Sequence, residues 1–166
     1  MKVFGITGWK NSGKTTLMEK LVAEICARGF GVSAIKHAHH NVDVDQPGKD
    51  RFRHRKVGAQ EVILTSSNRW ALMHELRGAN EPPLAELLGK LAPVDLVLIE
   101  GYKRESHSKI EAALSPGRHP LLALEGAHIT AVAAGYRVPE LAVPVLNIND
   151  ISAMANFIIT HTGLEA

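Results

Sequence analysis

The chain has 166 residues, with 19 Lys/Arg against 17 Asp/Glu and a formal net charge of +2. Apolar residues make up 45% and charged residues 22%, a composition that excludes a disordered or collagen-like chain and offers no global field for gripping DNA or an acidic membrane. Cys26 is the only cysteine, so an intrachain disulfide and an all-cysteine metal site are both excluded. A free thiol, no signal-peptide pattern at the start and no apolar run of membrane-spanning length lead us to expect a cytoplasmic protein.

In chain order, Lys2–Thr7 reads as a short buried strand running into a glycine-punctuated turn. From Lys14 the period becomes helical: Leu17, Leu21 and Ile25 recur four apart, and Gly29 supplies the stop. Gly31–Lys36 is the second strand, completing a strand–helix–strand crossover. The polar stretch 37–48 ends in a Pro-Gly break, and Lys49–Val57 reads as a helix. Glu61–Thr65 and Arg69–Met73 flank a turn and form a hairpin, expected as an extra sheet edge. A helix follows from Pro83 to Leu91. Val94–Ile99 is apolar almost throughout, as a central strand covered on both faces must be. Leu121–Leu124, Ile129–Ala133 and Val143–Asn147 are further strand candidates, and Ile151–Ile159 is a helix with Asp150 as N-cap. The alternation predicts one α/β domain over 1–166, a layered sandwich on a mostly parallel sheet with an added hairpin.

The sharpest chemical signal is Gly8-Trp9-Lys10-Asn11-Ser12-Gly13-Lys14-Thr15, a full GxxxxGK[ST] match placed after a strand and before a helix. In such a turn, backbone N–H groups converge on phosphate oxygens, and the glycines relieve the steric limits on the wrap. Lys14 brings a positive charge to the terminal phosphates, Thr15 a hydroxyl to Mg²⁺, and Thr16 a contact to the first phosphate. Trp9 either caps the core or touches ligand, and Lys10 is either solvated or a second phosphate ligand.

The acid for the magnesium shell has two candidates. Asp95 and Glu100 sit about 16 Å apart on an extended strand at about 3.3 Å per residue. Ligands gather at the carboxyl ends of parallel strands, which selects Glu100 and leaves Asp95 to cap the far edge.

The second strand leads into His37, His39, His40, Asp43 and Asp45. We expect this loop to handle a phosphorylated partner or water, with Asp43 near Mg²⁺; a zinc site lacks thiolates and regular histidine spacing. Lys49–Lys56 holds five Lys/Arg in eight residues, suited to phosphates or to one solvated helix face. Lys103 and Lys109 follow Glu100 and are candidates for phosphate or pterin oxygens. Asn147-Ile148-Asn149-Asp150 is similar to a guanine-reading NKxD element with Ile148 in the lysine position, which makes Asp150 either a guanine reader or only a helix cap.

Taken together, residues 8–16, Ile35-Lys36-His37-Ala38-His39-His40, Pro47-Gly48-Lys49-Asp50 and Leu98-Ile99-Glu100-Gly101-Tyr102-Lys103 closely resemble the molybdopterin-guanine dinucleotide biosynthesis adaptor proteins, the MobB family. The resemblance covers nearly the whole chain. It implies a P-loop NTPase-like three-layer sandwich that dimerises, binds GTP with Mg²⁺, hydrolyses it slowly at most, and assists the guanylyltransferase that joins GMP to molybdopterin. It also implies that residues 8–16 hold the phosphates and that Glu100 belongs to the Walker-B-like element. Lys109-Ile110-Glu111 resembles the family's PKIE element, with Ser108 in place of proline, which loosens the assignment of Lys109. Arg51 stands where a small hydroxyl residue is usual.

Two rival readings rest on the same residues. One is a P-loop small-molecule kinase with its acceptor near Asp43 or Glu100. The other is a nucleic-acid-binding module centred on 49–56, against which stands the lack of an aromatic-basic platform elsewhere.

Overall fold

The computed structural model describes residues 1–38, 50–126 and 128–165, with the backbone alone described at 50–52. The chain forms two compact units, residues 1–38 with 92–166, and residues 39–91.

The first unit is built on six parallel strands: β1 (Lys2–Thr7), β2 (Val32–Lys36), β5 (Leu96–Glu100), β6 (Lys109–Ala113), β7 (Ile129–Ala134) and β8 (Val145–Asn147). Their order across the sheet is β2-β5-β1-β6-β7-β8. Helix α1 (Lys14–Ala27) leaves β1 toward β2 on one side, whereas β6 flanks β1 on the other. The connections therefore diverge at the carboxyl end of β1, where a parallel α/β sheet opens its ligand crevice.

One sheet face is closed by α1 and the C-terminal α4 (Ile151–Thr162). Leu17, Leu21 and Ile25 of α1 and Met154 and Ile158 of α4 meet Phe4, Ile6, Leu96, Leu98 and Ile110, the alternate residues of three central strands. Each such side chain contributes about 1.5–3 kcal/mol on leaving water. A smaller cluster on Ala113, Val132 and Ala134 is covered by Leu121, Leu122 and the edge of Trp9.

The second unit contains α2 (Asp50–Lys56), the antiparallel hairpin β3 (Glu61–Thr65) and β4 (Trp70–His74), and α3 (Leu84–Gly89). The hairpin is not an added edge of the main sheet; it forms a two-stranded sheet of its own. Arg55 pairs with Glu75 at 2.6 Å, and Arg77 donates to the carbonyls of Arg55 and Ala59 at 2.9 Å, tying α2 to the hairpin's exit.

Two local expectations change. Leu121–Leu124 is no strand: Leu122–Glu125 is a single 3-10 turn, because the N–H groups of Leu122 and Ala123 are drawn to the Glu111 carboxylate. Lys109–Ala113, a stretch given no strand from the sequence, is a fully buried strand. No helix among the described residues is long and apolar enough to cross a membrane.

Candidate functional site

The turn between β1 and α1 has the backbone that its glycines predict. Gly8 has φ +142° and Gly13 φ +91°, and Asn11 sits at φ 62°, a conformation that asparagine tolerates better than most residues. A Cβ on Gly8 would lie 2.5 Å from Ser12 Oγ and 2.6 Å from the Ala112 carbonyl oxygen, so only glycine lets the loop pass over β6. At the start of α1, Gly13 is a left-handed N-cap and makes no side-chain capping bond. The first-turn amides of α1 therefore remain available to an anion.

Around this turn, Asn11, Ser12, Gly13, Lys14, Thr15, Thr16, Glu100 and Leu114 line an open cavity of about 300 Å³. Lys14 Nζ donates to the Trp9 carbonyl oxygen at 2.6 Å, holding the ammonium against the loop. Burial pushes the Lys14 ammonium below its ordinary range, opposed by the attraction of Glu100. Thr15 Oγ1 donates to Glu100 Oε1 at 2.9 Å, and Lys36 Nζ stands 3.4 Å from Glu100 Oε2. Glu100, 7% exposed, is thus brought from the end of β5 to the residue after the P-loop lysine. Asp95 lies at the other end of the strand segment, where its Oδ2 accepts the Gly31 N–H at 2.7 Å.

Among the described residues, no cluster of three His, Cys, Asp or Glu could hold a metal by itself. The Thr15–Glu100 pair fits Mg²⁺ in another way, since magnesium is commonly held by one or two protein oxygens together with water and substrate phosphates.

Other predicted site residues fall in different places. His37 takes the edge of β5 through its N–H to the Glu100 carbonyl at 2.9 Å, and its ring stacks on Tyr102 with centroids 4.4 Å apart. His39, His40, Asp43 and Asp45 lie outside the described residues. Trp9 Nε1 donates to the Pro120 carbonyl at 2.8 Å, while His119 stacks on the indole at 4.4 Å and Lys103 Nζ stands 3.9 Å from the ring centroid. Lys10 lines the cavity beside Trp9. Lys109 is wholly buried and its ammonium donates to the carbonyls of Glu105 and His107, so the structure turns it inward rather than toward the phosphate turn. Asp150 caps α4 by accepting the Ala153 N–H at 2.9 Å, and Ile148, two residues earlier, approaches Gly13.

The sequence of residues 3–135 matches the profile of the family described as molybdopterin guanine dinucleotide synthesis protein B. The chain belongs to the MobB family. It is 39% identical over 160 residues to the molybdopterin-guanine dinucleotide biosynthesis adapter protein of Escherichia coli strain K12, covering 95% of this chain and 91% of that protein. The adapter protein of Haemophilus influenzae is 41% identical over 157 residues, covering 94% and 86%. Among solved structures, a MobB homolog from Bacillus stearothermophilus superposes with a TM-score of 0.74 at 29% identity, covering 99% of this chain and 100% of that one. Bacillus subtilis MobB gives 0.78 at 21% identity with the same coverage, a likeness of fold. This MobB-family chain is thus an α/β three-layer sandwich of the P-loop NTPase kind, with an adapter role in molybdopterin-guanine dinucleotide biosynthesis.

Sequence reasoning missed one site feature. Glu111 was noted only as part of a motif, yet it lines the cavity beside Trp9, with its buried carboxylate accepting the N–H groups of Leu122 and Ala123. The period-two pattern Lys-Ile-Glu-Ala-Ala was the available signal for the strand that carries it.

Proposed function

We infer that this MobB-family adapter binds GTP with Mg²⁺ on Gly8–Thr16, hydrolyses it slowly at most, and works as a cytoplasmic homodimer beside the guanylyltransferase that joins GMP to molybdopterin. The observation that carries this reading is the Thr15–Glu100 hydrogen bond at 2.9 Å, formed directly beside a helix start whose amides are uncapped. Phosphate oxygens would meet those amides and the Lys14 ammonium, whose charge offsets that of the terminal phosphates. Thr15 and Glu100 would hold Mg²⁺, which supplies charge neutralisation across the phosphates. Asp43 joins this reading from the sequence as a further metal-shell acid. No glutamine follows Glu100-Gly101 to orient a water; Tyr102 stands there, in keeping with slow turnover.

Guanine preference draws support from the Asn147–Asp150 segment, which Ile148 brings against Gly13 of the phosphate turn. The homodimer draws support from the hairpin, where Ile63 is 64% and Trp70 68% exposed and Leu64 and Leu72 are open beside them. Such an apolar two-stranded surface calls for a partner, and a second copy supplies one of identical chemistry. The basic residues at 49–56 and Lys103 are the candidates for meeting the pterin's phosphate.

Nucleotide titration tests the reading. GTP with Mg²⁺ should bind more tightly than ATP, and Lys14→Ala should lose roughly 10- to 100-fold, the worth of a charge-assisted hydrogen bond. Equal binding of ATP and GTP would remove the guanine assignment, and undiminished binding by the variant would remove the site. Failure of the guanylyltransferase to co-purify in a pull-down would count against that partner.

A further inference from the structure

The last residues of β2 and β5 are register partners, so Lys36 and Glu100 leave neighbouring strands side by side, on the same face of the sheet. Lys36 Nζ stands 3.4 Å from Glu100 Oε2 and donates to Thr15 Oγ1, also at 3.4 Å. The lysine of the phosphate turn is engaged elsewhere, since Lys14 Nζ donates to the Trp9 carbonyl oxygen at 2.6 Å. The Lys36 ammonium therefore bridges the same two groups, Thr15 and Glu100, that fit Mg²⁺.

Charge and burial explain why a lysine stands there. Glu100 is 7% exposed, and a carboxylate so withdrawn from water needs a positive partner. Lys36 supplies one from the solvent side: its side chain is 58% exposed, so the ammonium returns to water at little cost. Both of its contacts are long beside the roughly 2.7–2.9 Å of a tight charge-assisted hydrogen bond, which makes them easy to exchange. An ammonium and a magnesium ion ask the same of this position, an anionic oxygen beside a hydroxyl oxygen. They cannot share it, because like charges repel at such a distance. Magnesium gains the advantage when phosphates arrive, since two protein oxygens leave most of its octahedron to water and phosphate.

We propose that Lys36 is an intramolecular stand-in for the divalent cation: its ammonium holds Thr15 and Glu100 in the metal-free chain and is displaced when Mg²⁺ arrives with a nucleoside triphosphate. Lys36 thereby competes with free metal, and the cradle takes the metal–nucleotide complex in preference to the metal alone. When nucleotide comes without metal, the same ammonium offsets part of the phosphate charge. The proposal rests on the nucleotide-binding reading of Gly8–Thr16, and it adds which group of the chain holds the metal position before the metal does.

Lys36→Met in the full-length protein tests this. Mn²⁺ alone, read by electron paramagnetic resonance, probes the metal position, and calorimetry measures GTP binding with Mg²⁺ and again with EDTA. Removing the competing ammonium should tighten Mn²⁺ binding roughly fivefold or more, the effect of one unit-charge contact at about 4 Å in water. Metal-free GTP should bind more weakly by a similar factor, so Mg²⁺ should raise GTP affinity more in the variant than in the wild type. An ordinary surface ion pair gives neither result: GTP affinity would fall equally with and without metal, and Mn²⁺ would gain nothing. Lys20→Met removes the same charge from an exposed position of α1 and should leave all three affinities unchanged. A shift in Lys20→Met equal to that in Lys36→Met would reduce the effect to net charge and overturn the proposal. Mn²⁺ binding left unchanged by Lys36→Met, undetectable binding by both chains included, would overturn it as well. The two readings fail separately. A wild-type chain that binds no GTP sinks the nucleotide reading and leaves the Mn²⁺ comparison to decide this one, whereas GTP binding with Mn²⁺ affinity indifferent to Lys36 sinks this one alone.

Discussion

Glu100 and Glu111 stand on the two strands that flank β1, one register step apart, opposite Ile6 and Thr7. Both carboxylates are withdrawn from solvent, yet they are held by different means. Glu100 is met by a threonine hydroxyl and a lysine ammonium, side chains that can turn away when a metal or phosphate arrives. Glu111 is met by two backbone amides at the start of a 3-10 turn, which move only if the turn moves. Burial raises the Glu111 carboxyl above the usual carboxylate range, while those amides and the Lys103 charge pull it back. A carboxylate held by side chains suits exchangeable ligation, and one held by backbone suits a fixed anchor for the turn that binds it.

The largest expected effect would break the symmetry of that pair. Glu111→Ala leaves one buried amide and one half-buried amide without an acceptor and should cost about 2–4 kcal/mol in chemical denaturation. Glu100→Ala should leave stability within about 1 kcal/mol, since its partners are exposed side chains. Its penalty should appear instead as loss of the Mg²⁺-dependent part of GTP affinity. Equal destabilisation by the two substitutions would erase the distinction.

Acid should strain the Glu111 side of the sheet first. Among the described residues, neither nitrogen of the buried His107 ring has a hydrogen-bond partner, and the ring lies over Gly5. Burial, helped by the Lys109 and His128 charges, lowers its pKa from 6.5 to about 4. The unfolded chain therefore takes the proton first. Stability should be full above pH 6.5 and fall as pH drops toward 4. His107→Gln should flatten that slope in pH-dependent melting.

A smaller effect sharpens the nucleotide side. Asp150→Ala removes a helix N-cap and should cost about 1 kcal/mol. If Asp150 also reads guanine, the preference for GTP over ATP should shrink in the same variant. An unchanged preference would leave it a cap alone.

The phosphate turn was legible in the sequence because its chemistry is local. Gly8, Gly13, Lys14 and Thr15 act through backbone angles and a helix start that nine consecutive residues define. The choice of Glu100 over Asp95 was equally legible, since strand direction alone puts one acid at the ligand edge. The hairpin strands and both long helices followed from periodicity, with no end shifted by more than three residues.

What the sequence could not disclose was the fate of charged residues whose partners lie elsewhere in the fold. Lys109 read as a candidate for phosphate or pterin oxygens and Glu111 only as part of a motif, and tertiary structure buried both by supplying carbonyls to one and amides to the other. The hairpin's separation from the main sheet was likewise decided in three dimensions, because strand pairing is chosen among all available edges and leaves no mark within either strand. The sequence thus determined the backbone shape of the Gly8–Thr16 turn, through steric limits that act between neighbouring residues. Tertiary structure alone decided which acids are buried and what they face, because desolvation depends on every group that packs around them.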